Sequence, residues 1–150
     1  MKHYLKRISW QFKDCRTIYP ELNGKKIKIQ SPEDVYNSFL FFFKGQVREY
    51  FIVIWLNSAN IVMGFESVSQ GILNASVVHP REVFRGAIVS TCASIILAHN
   101  HPSGNLKASN EDITITKKIS EAGKIIDIPV NDHIIFTDEG YFSFIEQNLL

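Results

Sequence analysis

Two apolar runs constrain this chain more than anything else in it. Tyr50 to Leu56 is almost continuously apolar, and Ala93 to Ala98 is nearly so. Runs this short and this unbroken read as strands buried on both faces, which need helices above and below them. The second run leads directly into His99-Asn100-His101-Pro102-Ser103-Gly104. A central strand that ends in two histidines and then turns is an uncommon arrangement. Side chains at i and i+2 on extended backbone point the same way, so both imidazoles can reach one ion. Asp112, on the first turn of the following helical pattern, stands where it could supply a third ligand. Two histidines, one carboxylate and a position left for water make up a catalytic zinc site.

Helices with their own start and stop signals surround these strands. Ser31-Pro32-Glu33-Asp34 combines an N-cap serine, a proline at the first helical position and acids in the first turn. Val35, Phe39 and Phe42 recur at helical spacing behind it, and Gly45 can end the helix. The Phe41-Phe42-Phe43 run is read as core. Ile61 to Val68 reads as a strand antiparallel to 50–56, joined to it by the Asn57-Ser58-Ala59-Asn60 turn. A short strand is expected over 75–78. Pro80 opens a helix with Val83, Phe84, Ala87, Ile88 and Thr91 on its inner side. Another helix is expected from Asn110 to about Ala122, with Gly123 as its C-terminal cap. Residues 125–130 and 133–137 read as two strands, and Tyr141 begins a short final helix or strand. In front of all this, Ile8, Trp10 and Phe12 alternate with polar residues, as do Ile27 and Ile29, with Asn23-Gly24 as a turn between them. The expected organisation is a strand extension over 1–30 packed on a domain over 31–150. The fold class is α/β or α+β, a mixed β-sheet flanked by helices.

The histidine pair also carries a resemblance. His-x-His, seven residues, Ser, two residues and Asp resembles the JAMM (MPN+ or JAB1) metallo-hydrolase signature. Arg48-Glu49-Tyr50-Phe51, Ser76 to Phe84 and Ala98 to Gly104 are similar to the bacterial RadC family, over about residues 31 to 138. The resemblance implies a JAB1/MPN-like, cytidine-deaminase-like sandwich. It implies one Zn²⁺ per chain on His99, His101 and Asp112, with Glu49 as general base and Ser109 as hydroxyl donor to an oxyanion. It further implies a hydrolase acting on an amide, peptide or isopeptide-like bond, the substrate itself being open. The alternative is a non-catalytic or DNA-processing-associated binding module on the same fold.

Each of these residues has a plainer reading. Ser109-x-x-Asp112 before an apolar helix is also a capping box, and both roles can coexist. Glu49 could be a solvent-facing partner of Arg48, in which case Glu66 and Glu82 are the fallback bases. Asn100 and Ser103 could position a substrate carbonyl or the loop itself, and the loop role is the plainer one. Asp132-His133 suits strand-end structure or support of a ligand.

Bulk properties narrow the function classes. With 150 residues, 45% hydrophobic and 21% charged, the chain fits one globular domain. A net charge of +1 does not favour a protein built mainly to neutralise phosphates, so nucleic-acid binding has no support from charge. Lys25, Lys26 and Lys28 are read as a solvated face. Cys15 and Cys92 form no C-x-x-C and suit free thiols in a reducing cytoplasm. Neither a signal peptide nor a membrane span is expected, because no apolar stretch is long enough. H-E-x-x-H is missing, as is the C-x-x-C of a deaminase zinc site. The oligomeric state cannot be read from the sequence.

Overall fold

A computed structural model describes residues 26–71 and 78–150, together with 9, 11–13 and 24. The expected strand around Ile8 and Trp10, Cys15, Lys25 and most of the expected strand over 75–78 lie outside the described residues. The elements are α1 (Pro32–Phe43), β1 (Tyr50–Leu56), β2 (Val62–Gln70), α2 (Pro80–Val89), β3 (Ser94–Asn100), α3 (Asn110–Ile125), β4 (Val130–Phe136) and β5 (Tyr141–Ser143). The strands form one mixed sheet in the order β2-β1-β3-β4-β5. Among the described strands only β3 and β4 are parallel, joined by the α3 crossover; the other neighbours are antiparallel.

The two apolar runs are the inner strands β1 and β3, and each face of the sheet has its own core. Phe51, Val53, Trp55, Ile95 and Leu97 pack against Val83, Phe84 and Ala87 of α2 and Ile115 and Ile119 of α3. Ile52, Ile54, Leu56, Ile96 and Ala98 pack against Val35, Phe39 and Phe43 of α1. Burial on both sides is why these strands show no polar alternation. The Ser31 capping box is present in full, and Gly45 follows the α1 cap at φ +73°, a conformation glycine adopts without steric cost. Lys28 makes a single bridge to Ile61 beside β2, so the Ile27–Ile29 alternation corresponds to one bridge rather than a strand.

Three local expectations are corrected. Residues 125–130 are not a strand: α3 runs on to Ile125, Asp127 turns the chain at φ +56°, and one strand, β4, replaces the expected two. Gly123 does not cap α3 but lies within it, where the main chain of Ile128 leaves no room for a side chain. On α2, Ile88 is 57% exposed, and Thr91 lies beyond the helix at φ +54°.

Candidate metal centre

His99 and His101 share the α2/α3 face of β3 with Ile95 and Leu97, so both rings sit at the carboxyl end of that strand. The parallel β3–α3–β4 crossover then brings the first turn of α3 over them. Asp112 there caps the helix and faces both rings at once. The capping box forms with Ser109: Ser109 Oγ accepts from the Asp112 N–H (3.0 Å), and Asp112 Oδ2 accepts from the Ser109 N–H (2.8 Å) and hydroxyl (2.7 Å). Asp112 Oδ1 faces His99 Nε2 at 3.3 Å, and Oδ2 lies 3.5 Å from His101 Nε2. The two Nε2 atoms are 3.0 Å apart. A carboxylate on the first turn is further stabilised by the positive end of the helix dipole.

The hydrogen bonds fix which ring nitrogens carry protons. The Thr116 hydroxyl donates to the Asp112 main-chain carbonyl (2.6 Å), which can only accept. Thr116 Oγ1 therefore accepts from His133 Nδ1–H (2.6 Å), leaving His133 Nε2 bare. His99 Nδ1–H donates to that atom (2.7 Å), leaving His99 Nε2 bare in turn. His101 Nδ1–H donates to the Asn105 carbonyl (2.6 Å), so its neutral ring also presents a bare Nε2. Burial pushes His99 below the ordinary histidine range, although Asp112 partly opposes this. Burial and the neighbouring His99 hold His133 well below that range, which keeps it neutral. For His101 burial also pulls downward, but the Asp112 carboxylate and the Asn105 carbonyl outweigh it and raise the ring. Burial acts to raise Asp112, yet the His101 and His99 rings beside it and the hydrogen bond from Ser109 prevail and hold it far below the usual carboxylate range.

Two nitrogen lone pairs and a carboxylate thus converge in a buried place, an arrangement that calls for a cation. Donors on a tetrahedral zinc at about 2.0–2.1 Å stand roughly 3.3 Å apart along an edge. The separations of 3.0, 3.3 and 3.5 Å fit such an ion, and the donor chemistry suits it as well. Among the described residues this is the His/Asp group that could hold a metal.

Glu49 lies at the head of β1, beside this centre; its negative charge raises both imidazoles. A cleft of about 480 Å³ opens between Arg48, Glu49, Gly71, Pro102 and Ser103. The fallback carboxylates belong elsewhere: Glu66 and Glu82 both pair with Arg85 of α2, Glu66 across from β2. Ser109 directs its hydroxyl hydrogen to Asp112. Ser103 Oγ accepts from the Asn105 N–H at 3.4 Å within the loop. Asp132 is engaged by the His133 and Ile145 amides and the Ser143 hydroxyl, a strand-end role, whereas its neighbour His133 supports His99. Thr116 is the residue that sequence reasoning passed over. Its only signal was its place one helical turn after Asp112.

A mixed sheet between helices, with this ligand geometry at the end of β3, defines a JAB-type domain. Residues 29–149 match the family model described as a RadC-like JAB domain, and the chain belongs to that family. It is 47% identical over 124 residues to a UPF0758 protein of Staphylococcus haemolyticus, covering 83% of this chain and 54% of the relative. It is 41% identical over 144 residues to one of Methanosarcina mazei, covering 96% of this chain and 63% of the relative. A Geobacter sulfurreducens relative is 45% identical over 123 residues, covering 82% and 54%. The chain therefore spans a little over half the length of these relatives. No described helix is long and apolar enough to cross a membrane.

Proposed function

We propose that this chain is a zinc-dependent hydrolase of JAMM type that cleaves an amide, peptide or isopeptide-like bond. The observation that carries this reading is the convergence of the Nε2 atoms of His99 and His101 on the Asp112 carboxylate within 3.5 Å. A zinc ion held by these three residues would lower the pKa of a bound water to about 7 and polarise the scissile carbonyl.

The protein's own groups do the rest. Glu49 takes a proton from the attacking water and delivers it to the leaving nitrogen, so that the amine departs neutral. The cleft beside Glu49, between Arg48, Gly71, Pro102 and Ser103, gives the substrate access. Ser109 keeps Asp112 ionised and oriented. Its hydroxyl can serve a developing oxyanion only by turning from Asp112 Oδ2, so orientation of the carboxylate is its resting role. Neutral His99 and His133 keep the centre free of excess positive charge, so the ion itself supplies the field.

Metal analysis tests this reading. Protein dialysed against Zn²⁺ should retain about one equivalent, and Asp112→Ala should retain far less. Wild-type protein that binds no divalent ion would overturn the proposal.

A further inference from the structure

Asn100 sits between the two histidines in sequence but faces the other side of β3. It is 3% exposed, and both polar atoms of its carboxamide are engaged. Oδ1 accepts from the Tyr50 N–H at 2.7 Å, and Nδ2 donates to the Arg48 carbonyl at 2.9 Å. These contacts fall on the two residues that flank Glu49. The backbone register between β1 and β3 runs outward only to Phe51–His99. Past that point the Asn100 side chain takes over the pairing. The Glu49 carbonyl is tied on its other side by the Gly71 N–H at 2.9 Å.

From this geometry we infer that Asn100 is the positioning residue that sets Glu49 against the His99–His101–Asp112 centre. The purpose of the clamp rests on the hydrolase reading; its existence does not. A proton-transferring carboxylate must be held within about 0.5 Å of its working place. Glu49 lies at the junction of a loop and a strand, where backbone is ordinarily looser. Asn100 removes that freedom from the same strand that carries both imidazoles, so ligands and base move as one body. The task needs one donor and one acceptor in fixed relation, which a carboxamide has. Aspartate keeps the acceptor for Tyr50 but opposes the Arg48 carbonyl with a second acceptor, and leucine offers neither.

The test uses the whole chain, metal-free and loaded with Co²⁺, followed by NMR. In Asn100→Asp, backbone order parameters at Arg48 and Glu49 should fall from about 0.85 toward 0.6 or below, with α3 unchanged. The Co²⁺ pseudocontact shift of the Glu49 amide should move as well, while Co²⁺ affinity stays within about twofold, since the ligands are untouched. Asn100→Leu should add exchange of the Tyr50 amide about tenfold faster. If Asn100→Leu does not fold, Asn100→Asp alone decides. Unchanged order at residues 48–50 in Asn100→Asp would overturn the inference, as would changes spread evenly over β1, β3 and β4. If wild-type protein takes up no Co²⁺, the metal-centre reading fails, and the metal-free order parameters still decide the clamp.

Discussion

His99 Nδ1 stands 2.7 Å from His133 Nε2, and only one direction of proton donation is open between them. The direction is set two residues away, where the Thr116 hydroxyl must give its hydrogen to the Asp112 carbonyl. One threonine thus determines which nitrogen of a candidate ligand is bare. Thr116→Val removes the acceptor for His133 and should weaken Zn²⁺ binding about 10–100-fold, as loss of support behind a ligand typically does. Thr116→Ser should keep wild-type affinity. Competition with a chromophoric chelator reads both, and equal affinity of the valine variant would refute the relay.

Glu49→Gln separates metal holding from proton transfer. It should retain Zn²⁺ at wild-type stoichiometry and lose hydrolysis by about 10²–10⁴-fold, the usual contribution of a general base. Undiminished turnover of an amide substrate by the variant would remove Glu49 from the mechanism.

Asp112 is both cap and ligand candidate, and two variants divide those roles. Ser109→Ala should cost about 1 kcal/mol of stability through loss of the cap, with metal binding reduced but present. Asp112→Ala should cost a similar amount and abolish metal uptake as well. Urea unfolding and metal analysis on both variants check this. Full metal retention in Asp112→Ala would leave the residue as a cap only.

Gly123→Ala should destabilise the protein, contrary to helix propensity. Alanine within a helix ordinarily gains about 1 kcal/mol over glycine. A Cβ here would lie 2.5 Å from the Ile128 carbonyl oxygen, so the chain that turns from α3 into β4 would have to shift. The net loss should be about 1–3 kcal/mol by urea denaturation. A stabilised variant would mean that this turn yields freely.

Acid should weaken the start of α1. Hydrogen bonds from the Gln30 amide, and from Ser31, outweigh a small burial effect and hold Asp34 below its ordinary range. A depressed folded-state pKa stabilises above the unfolded value of about 3.9, and the contribution is lost as pH falls through the folded one. The thermal midpoint of wild type should therefore drop further than that of Asp34→Asn between pH 7 and pH 3. Parallel curves would show that the cap acts without its charge.

Much of the fold was legible because its signals are local. The Ser31 box, Gly45 and the strands β1 and β3 announce themselves through capping chemistry and unbroken apolarity. The α3–β4 boundary was not legible. Ile126, Ile128 and Val130 alternate with Asp127 and Pro129 much as a strand does, yet Ile126 is 40% exposed and Ile128 is buried. Packing of Gly123 on the Ile128 main chain decides the end of the helix, and that contact does not exist until the chain is folded.

By itself the sequence determined the candidate ligands, because two histidines at alternate positions of one strand face the same way whatever surrounds them. It also determined Asp112 as a cap, because the spacing to Ser109 is local, while its place as candidate third donor came from the family resemblance. Only the tertiary structure decided what stands behind those ligands. Thr116, His133 and Asn100 act through partners 4, 34 and about 50 residues distant. Apart from the helical step from Thr116 to Asp112, those distances close only when β1, β3 and β4 pair side by side. The proton positions, and with them the character of the centre, follow from that pairing rather than from any motif.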